Sequence, residues 1–343
     1  SSINGSKTTC RKPPSLPKRW ISNMFMGTDG FVWFQGVVED RADPLMLGRI
    51  RVRCLGWHTD DKNLIPTASL PWAHPMAPIT SASMNGIGTT PLGPVEGTWV
   101  VGFFRDGKDA QEPVVMGTIG GIPEVVSDTT VGFNDPNGVY PAVVSEPDTN
   151  RLARGETRTA TVNGTVDKPR ETSVSVANGG TAWLEPEDPY AAVYPSNHVR
   201  ESESGHIEEW DDTSTAERLH RYHKSGTREE IHPNGDRVVR VVGKDYEVII
   251  SDKNVLVKGS VNLTVDSDCR TYIKGDWQIQ VDGDKYEHIV GDTTLIVGGD
   301  LDEVVTGDQT TAVGGDLDEV VTGDQTTAVT GIIDIDARRV YIN

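Results

Sequence analysis

Residues 299–330 read GDLDEVVTGDQTTAVG followed by GDLDEVVTGDQTTAVT, a sixteen-residue unit duplicated with one change, Gly314 against Thr330. Inside each copy the glycines fall eight residues apart, and the spacing continues outward in both directions. Gly275, Gly283, Gly291, Gly299, Gly307, Gly315, Gly323 and Gly331 form an unbroken period of eight, and the register runs back through Ser267, Gly259, Ser251 and Gly243. Two residues before each of these positions stands Val or Ile: Val241, Ile249, Val257, Val265, Ile273, Val281, Ile289, Val297, Val305, Val313, Val321 and Val329. Asp follows every glycine from Gly275 to Gly323.

An even period returns the same parity to the same face of an extended chain, whereas helical geometry would scatter the Val positions around the surface. The repeat is therefore β. Val261-Asn262-Leu263-Thr264-Val265 and Trp277-Gln278-Ile279-Gln280-Val281 show the alternation directly. Each unit is expected to be a short strand closed by a corner, the glycine being free to take positive φ there. One such strand has too little apolar face to stand alone and must stack on others. Either a single chain coils with three octads per turn, or three chains wrap a common axis as a triangular prism. Glu303, Gln309, Thr311 and Glu319 share strand parity with the Val row, and such a thin, polar-tolerant interior favours three chains. The expected trimer core is Val257, Val265, Cys269, Ile273, Val281, Ile289, Val297, Val305, Val313, Val321 and Val329, with turn glycines Gly259, Gly275, Gly283, Gly291, Gly299, Gly307, Gly315, Gly323 and Gly331. A calcium-binding nonapeptide roll needs a period of nine and a fuller turn motif than Gly298-Gly299-Asp300.

The rest of the composition agrees with an all-β chain. The 343 residues include 36 Gly and 20 Pro but only 36% hydrophobic and 6% aromatic residues, which favours short strands and turns over helices. A formal charge of -19 repels nucleic acid and anionic lipid, so no nucleic-acid partner is expected. Cys10, Cys54 and Cys269 have neither disulfide-framework nor zinc spacing. The longest stretch without Asp, Glu, Lys or Arg, 63–95, is broken by six prolines and is no membrane helix. Residues 1–30 read as an extended arm without a secretion-signal pattern.

Upstream of the repeat, five strands are expected at Phe31 to Asp40, Gly48 to His58, Leu70 to Pro78, Thr98 to Asp106 and Pro113 to Gly120. Five strands in this length suit a small closed barrel of the oligonucleotide/oligosaccharide-binding (OB) type. Trp33, Phe34, Trp57, Trp72, Trp99, Phe103 and Phe104 are expected as barrel core. Residues 31–120 carry nine acidic and seven basic residues, so no cationic groove would track a phosphate backbone.

Particular motifs carry a family resemblance: Phe34-Gln35-Gly36-Val37-Val38-Glu39-Asp40-Arg41-Ala42-Asp43-Pro44, Leu47-Gly48-Arg49-Ile50-Arg51-Val52-Arg53, Leu70-Pro71-Trp72, Pro78-Ile79-Thr80-Ser81 and Gly93-Pro94-Val95-Glu96-Gly97-Thr98. They resemble the N-terminal OB domain of the central spike proteins of T-even-like contractile phage baseplates. The octad repeat resembles that family's trimeric β-helix needle, and Phe133 to Gly138 and Glu201 to His206 are also similar to phage spikes. Type VI secretion spikes share the architecture. The resemblance implies a homotrimer in the virion, assembled in the host cytoplasm. Its OB domain would seat on the baseplate hub, and its needle would be driven through the host outer membrane. It also implies a PAAR-like tip protein docked at Ile333, Ile335, Val340 and Ile342.

The chain departs from the family where a lysozyme domain would sit. Residues 121–195 hold eight Pro and no amphipathic helical run, with at most one short helix near Asp148 to Arg154. Glu156, Asp167, Glu171 and Glu185 are expected to be solvated linker charges, so no catalytic residue, cofactor or metal is expected. His198, His206, His220, His223 and His232 cluster in sequence. His220 and His223 should point to opposite faces of a strand over Glu217 to Lys224, which argues for surface or interchain hydrogen bonds rather than metal ligation. The expected organisation is an arm over 1–30, the OB domain over 31–122, a Pro/Thr-rich extended linker over 123–199, an intertwined β neck over 200–242, the needle over 243–331 and a tip over 332–343. The competing functions are the spike of a type VI-like secretion device and a glycan-degrading or glycan-binding tailspike. For the glycan-degrading one, an eight-residue strand-plus-turn is too narrow to build the carboxylate-lined groove.

Overall fold

The computed structural model describes residues 31–156 and 170–336. The expected arm, Asp167 and the tip residues Val340 and Ile342 lie outside the described residues. The chain divides into two units, Ser1–Asp268 and Cys269–Asn343.

The first unit opens with a closed five-stranded barrel. Its strands are β1 (Val32–Asp40), β2 (Ile50–Cys54), β3 (Trp72–Pro75), β4 (Trp99–Phe104) and β5 (Pro113–Ile119), in the order β1-β2-β3-β5-β4. All neighbouring pairs are antiparallel except β3 with β5. Phe34, Val38, Ile50, Val52, Cys54, Ala73, Val100, Phe104 and Val115 fill the interior. Gly102, beside a bulge in the β4–β5 pairing, lets the Phe34 ring and the Val114 carbonyl approach: a Cβ there would fall 2.0 Å from that oxygen.

The aromatic assignment divides. Phe34, Phe103 and Phe104 are buried, but Trp33, Trp57 and Trp99 are exposed and Trp72 is half-buried under Arg51 and Arg49. Strand alternation explains Trp33, which pairs across from Phe103 while its neighbour Phe34 points inward.

One end of the barrel is tied by a fully buried ion pair. Arg53 donates to both carboxylate oxygens of Glu39, at 2.6 and 3.1 Å, and to the carbonyls of Thr59 and Ile65. Glu39 also accepts from the Thr67 hydroxyl and the Phe133 amide. Burial pushes the Glu39 pKa up, and the hydrogen bonds from Arg53 and Thr67 outweigh it, leaving a net lowering.

The stretch after β5 is not the extended linker read from its prolines. Gly132 donates to the Asp60 carbonyl and Lys62 to the Thr129 carbonyl, while buried Asp135 accepts from the amides of Asn137, Val139 and Tyr140. Asx-type hydrogen bonds thus fold a proline-rich segment onto the barrel without regular structure. The helix expected near Asp148 to Arg154 is one 3-10 turn, Leu152–Arg154.

An antiparallel five-stranded meander follows: β6 (Asn197–Glu201), β7 (Ile207–Asp211), β8 (Arg218–Tyr222), β9 (Arg228–Ile231) and β10 (Arg237–Arg240). Its strands pair within one chain, where an intertwined neck was expected.

Candidate assembly surfaces

Over 243–336 no residue is in a strand or a β-bridge. The chain bends at 242–243, 250–251, 258–259 and so on through 330–331, once per octad and at the glycine or serine of the register. The period is thus present as geometry, and the strands are not, because a strand needs a partner for its amides and carbonyls. A chain coiling on itself with three octads per turn would pair each octad with the third one along. No such pairing forms among the described residues.

The side chains carry the same period. The Val and Ile two residues before each bend are 37% to 56% exposed, while every other large apolar side chain between 243 and 331 is 63% to 95% exposed. Polar contacts repeat as well: Lys253 to Glu247, Gln309 to Glu303 and Gln325 to Glu319 each join the residue four before a bend to the residue two after it. One expectation is corrected. None of the repeat glycines adopts the left-handed region, and a Cβ on any of them would meet open space. This explains why Ser251 and Ser267 can hold the same register position. Cys269, Ile333 and Ile335 are exposed in the single chain.

The β6–β10 sheet has its charges inside. Arg218 bridges Glu209 at 2.8 Å and Glu230 at 2.7 Å, His220 donates through Nδ1 to Glu209 at 2.6 Å, and His232 through Nε2 to Glu230 at 3.2 Å. Asn197 completes the shell of Glu209, and all six side chains are buried. Burial would raise the Glu209 pKa, but the His220 hydrogen bond, the Arg218 charge and Asn197 hold it at about 2. The Tyr190 hydroxyl, which donates to the Leu152 carbonyl, is pushed to about 12 by burial and by Glu209. The opposite face presents Trp210, Leu219 and Ile231, successive cross-strand neighbours and all exposed.

The histidine and carboxylate readings change accordingly. His220 and His223 do face opposite ways, but His220 and His232 are internal ion-network members rather than surface or interchain groups. Half-buried His206 and exposed His223 lie 4.5 Å apart with their rings tilted at 45°, and each accepts a backbone amide at Nδ1, from Lys224 and Ser225. No metal-binding group of three or more ligands exists among the described residues. Glu185 is buried, with one carboxylate oxygen on Arg228 and the other on Arg240, and is no solvated linker charge. Glu156 pairs with Arg151 and Arg154, while Glu171 is exposed.

On the barrel, Asp43 accepts the amides of Leu45, Leu47 and Arg49 and the Arg49 guanidinium at 2.6 Å, which together hold its carboxyl far below the ordinary range. The loop so fixed presents Leu45, Met46 and Leu47 to solvent.

Comparison with known proteins agrees with this architecture. The family described as Gp5 N-terminal OB domain matches residues 56–199. Protein Gp5 of Vibrio phage KVP40 is 50% identical over 274 residues, covering 71% of this chain and 65% of that protein. The chain is thus similar to Gp5 over most of its length. A second relative, the pre-baseplate central spike protein Gp5 of Enterobacteria phage T4, is 47% identical over 137 residues, covering 38% of this chain and 24% of its own length. The chain thus spans just under two thirds of the KVP40 Gp5 and about a quarter of the T4 protein. The OB barrel is the part of the Gp5 architecture that the described strands reproduce directly.

Proposed function

We propose that the chain is the structural central spike of a contractile phage tail: a homotrimer at the centre of the virion baseplate that punctures the host outer membrane. The observation that carries this reading is the octad repeat, whose bends and half-shielded Val row keep strict register while no strand pairing forms among its described residues. Three copies wrapped about one axis give every strand two partners and cover the Val row. Similarity to Gp5 proteins supports the same reading, since one of them is named a pre-baseplate central spike protein.

The work of such a part is mechanical. A ladder of many hydrogen bonds shares axial load, and the acidic rim from Asp276 to Asp324 keeps shafts apart and repels anionic lipopolysaccharide. The chain acts without a catalytic residue or cofactor. The barrel, with its fixed Leu45-Met46-Leu47 tip, seats on the hub protein, and a PAAR-like protein caps the far end at Ile333, Ile335, Val340 and Ile342. Unpaired strand ends carrying Ile residues call for a cover.

The test is complementation of a spike-deficient phage. The full chain should restore infectivity, and a chain lacking residues 259–330 should assemble baseplates that do not infect. Infectivity without the repeat would overturn the reading. Release of sugar from host polysaccharide by the purified chain would replace it with the tailspike enzyme.

A further inference from the structure

Between the outer wall of the barrel and the segment folded after β5 runs an open groove of about 970 Å³. Its floor is apolar, with Trp99, Ile119, Ile122, Val125 and Val143 all exposed in it. Its rim is acidic: Glu124, Glu146, Asp148 and Glu201 line it, against Arg151 alone on the basic side. Arg151 is already paired with Glu146, and Arg154 takes the other oxygen of that carboxylate.

Glu201 adds a more specific demand. Its Oε2 accepts from Asn150 at 2.6 Å, while its Oε1 is buried and has no hydrogen-bond partner. A buried carboxylate oxygen left in that condition is costly, so a donor entering the groove gains by satisfying it. The terminal torsion of a Glu side chain is soft enough to turn the oxygen toward such a donor. The fitting occupant is thus a peptide that carries both cationic and apolar side chains.

The same chain supplies one. Residues 1–30 carry Lys7, Arg11, Lys12, Lys18 and Arg19 against a single acid, Asp29, in a chain whose overall charge is -19. Trp20, Ile21, Met24, Phe25 and Met26 follow the basic run. The described chain begins at Phe31, and Gln35, four residues on, lines the groove. At roughly 3.3 Å per residue the entry point is about 13 Å from the groove, and Arg19 commands a reach of about 40 Å. Tethering at that range gives a local concentration on the order of millimolar, so even weak complementarity is populated.

We propose that residues 1–30 dock in this groove, with the Lys18–Arg19 pair against Glu201 and the acidic rim and the Trp20–Met26 run on the apolar floor. The segment is then an intramolecular ligand that covers the apolar recess beside the barrel.

Cys10 offers a probe in the full chain. With Cys269→Ser in place and Cys54 buried, benzophenone maleimide attaches at Cys10 alone. Irradiation followed by mass spectrometry should place the majority of cross-links in residues 93–99, 118–125 and 140–151. Raising salt to about 0.5 M should lower that yield about fivefold, because the rim charges are screened. Glu201→Gln, which keeps shape and removes charge, should lower it about threefold while the near-UV circular dichroism stays unchanged. Cross-links to the groove of the same chain or of a second copy both support docking. Cross-links scattered over the barrel, absent cross-links, or a groove yield indifferent to salt and to Glu201→Gln would overturn it.

Discussion

Replacing Val305 and Val313 together by Ala tests the inward assignment of the Val row. Each change removes two methyl groups, worth about 1.6 kcal/mol on full burial at about 0.8 kcal/mol per carbon. The two side chains are already 46% and 47% exposed rather than fully exposed in the single chain, so assembly can add only about half of that. Roughly 0.8 kcal/mol per site, over two sites and three chains, gives about 5 kcal/mol per trimer, or between three and four powers of ten in the association constant. Sedimentation velocity across a guanidinium series reads the shift. The matched control is Val304→Ala with Val320→Ala, side chains of opposite parity that are 85% and 87% exposed. Those changes should alter the midpoint little. If the control pair weakens the assembly as much as the Val305 and Val313 pair, the parity argument fails and with it the shared core.

Three further outcomes follow from the buried charges and from Cys269. Glu209 is held at about 2 against an ordinary 4.5, a lowering worth about 3 kcal/mol that is fully present above pH 4.5 and lost as pH falls toward 2; hydrogen exchange of β7 and β8 should accelerate over that window in the native chain and not in Glu209→Gln. Arg53→Met leaves the Glu39 carboxylate buried without its partner and should lower barrel stability by about 3–5 kcal/mol in a guanidinium melt followed by tryptophan fluorescence. Glu39→Leu combined with Arg53→Met should recover much of that loss, and a double variant weaker than the single one would contradict the account. Cys269 is exposed in the single chain but has the parity of Val261 and Trp277, so the assembled protein should react with a thiol reagent only after dissociation. Cys54, whose thiol burial pushes to about 12, stays silent in either state, and fast labelling of native Cys269 would reverse the inward and outward faces.

Much of the barrel was legible because its strands alternate cleanly between Gly- and Pro-marked links. β1 and β5 fall within one residue of expectation at each end. β2 stops at Cys54 rather than running to His58, because the amides of both Trp57 and His58 turn back to the Cys54 carbonyl. β3 shrinks to Trp72–Pro75, since its only pairings are Ile50 and Arg51 on one side and Val114 and Val115 on the other. The repeat register was legible to the residue, because an eight-residue period leaves no other spacing for the bends. What sequence could not show is which face of a charged strand turns inward. In Ile207-Glu208-Glu209-Trp210-Asp211 the alternation separates Ile, Glu and Asp from Glu and Trp, and an apolar-inside rule would bury Trp210. The sheet instead buries Glu209, because Arg218, His220 and Asn197 arrive from neighbouring strands to satisfy it, and with it Asp211, which accepts the Thr213 amide. Those partners are distant in sequence, and no local pattern announces them. The groove acids were invisible for the same reason, being assembled from β6 and the folded segment after β5.

The shared-core account is tested most directly by the mass of the full chain in solution. Sedimentation equilibrium at micromolar concentration should give about 112 kDa, three times the 37.3 kDa of one chain, without a detectable single-chain species. Images of the same particles should show a shaft about 50 Å long for the eleven octad steps from Gly243 to Gly331, at about 4.7 Å per step. A mass of 37.3 kDa under those conditions would contradict the account, because every octad strand would then lack the partners that the repeat requires.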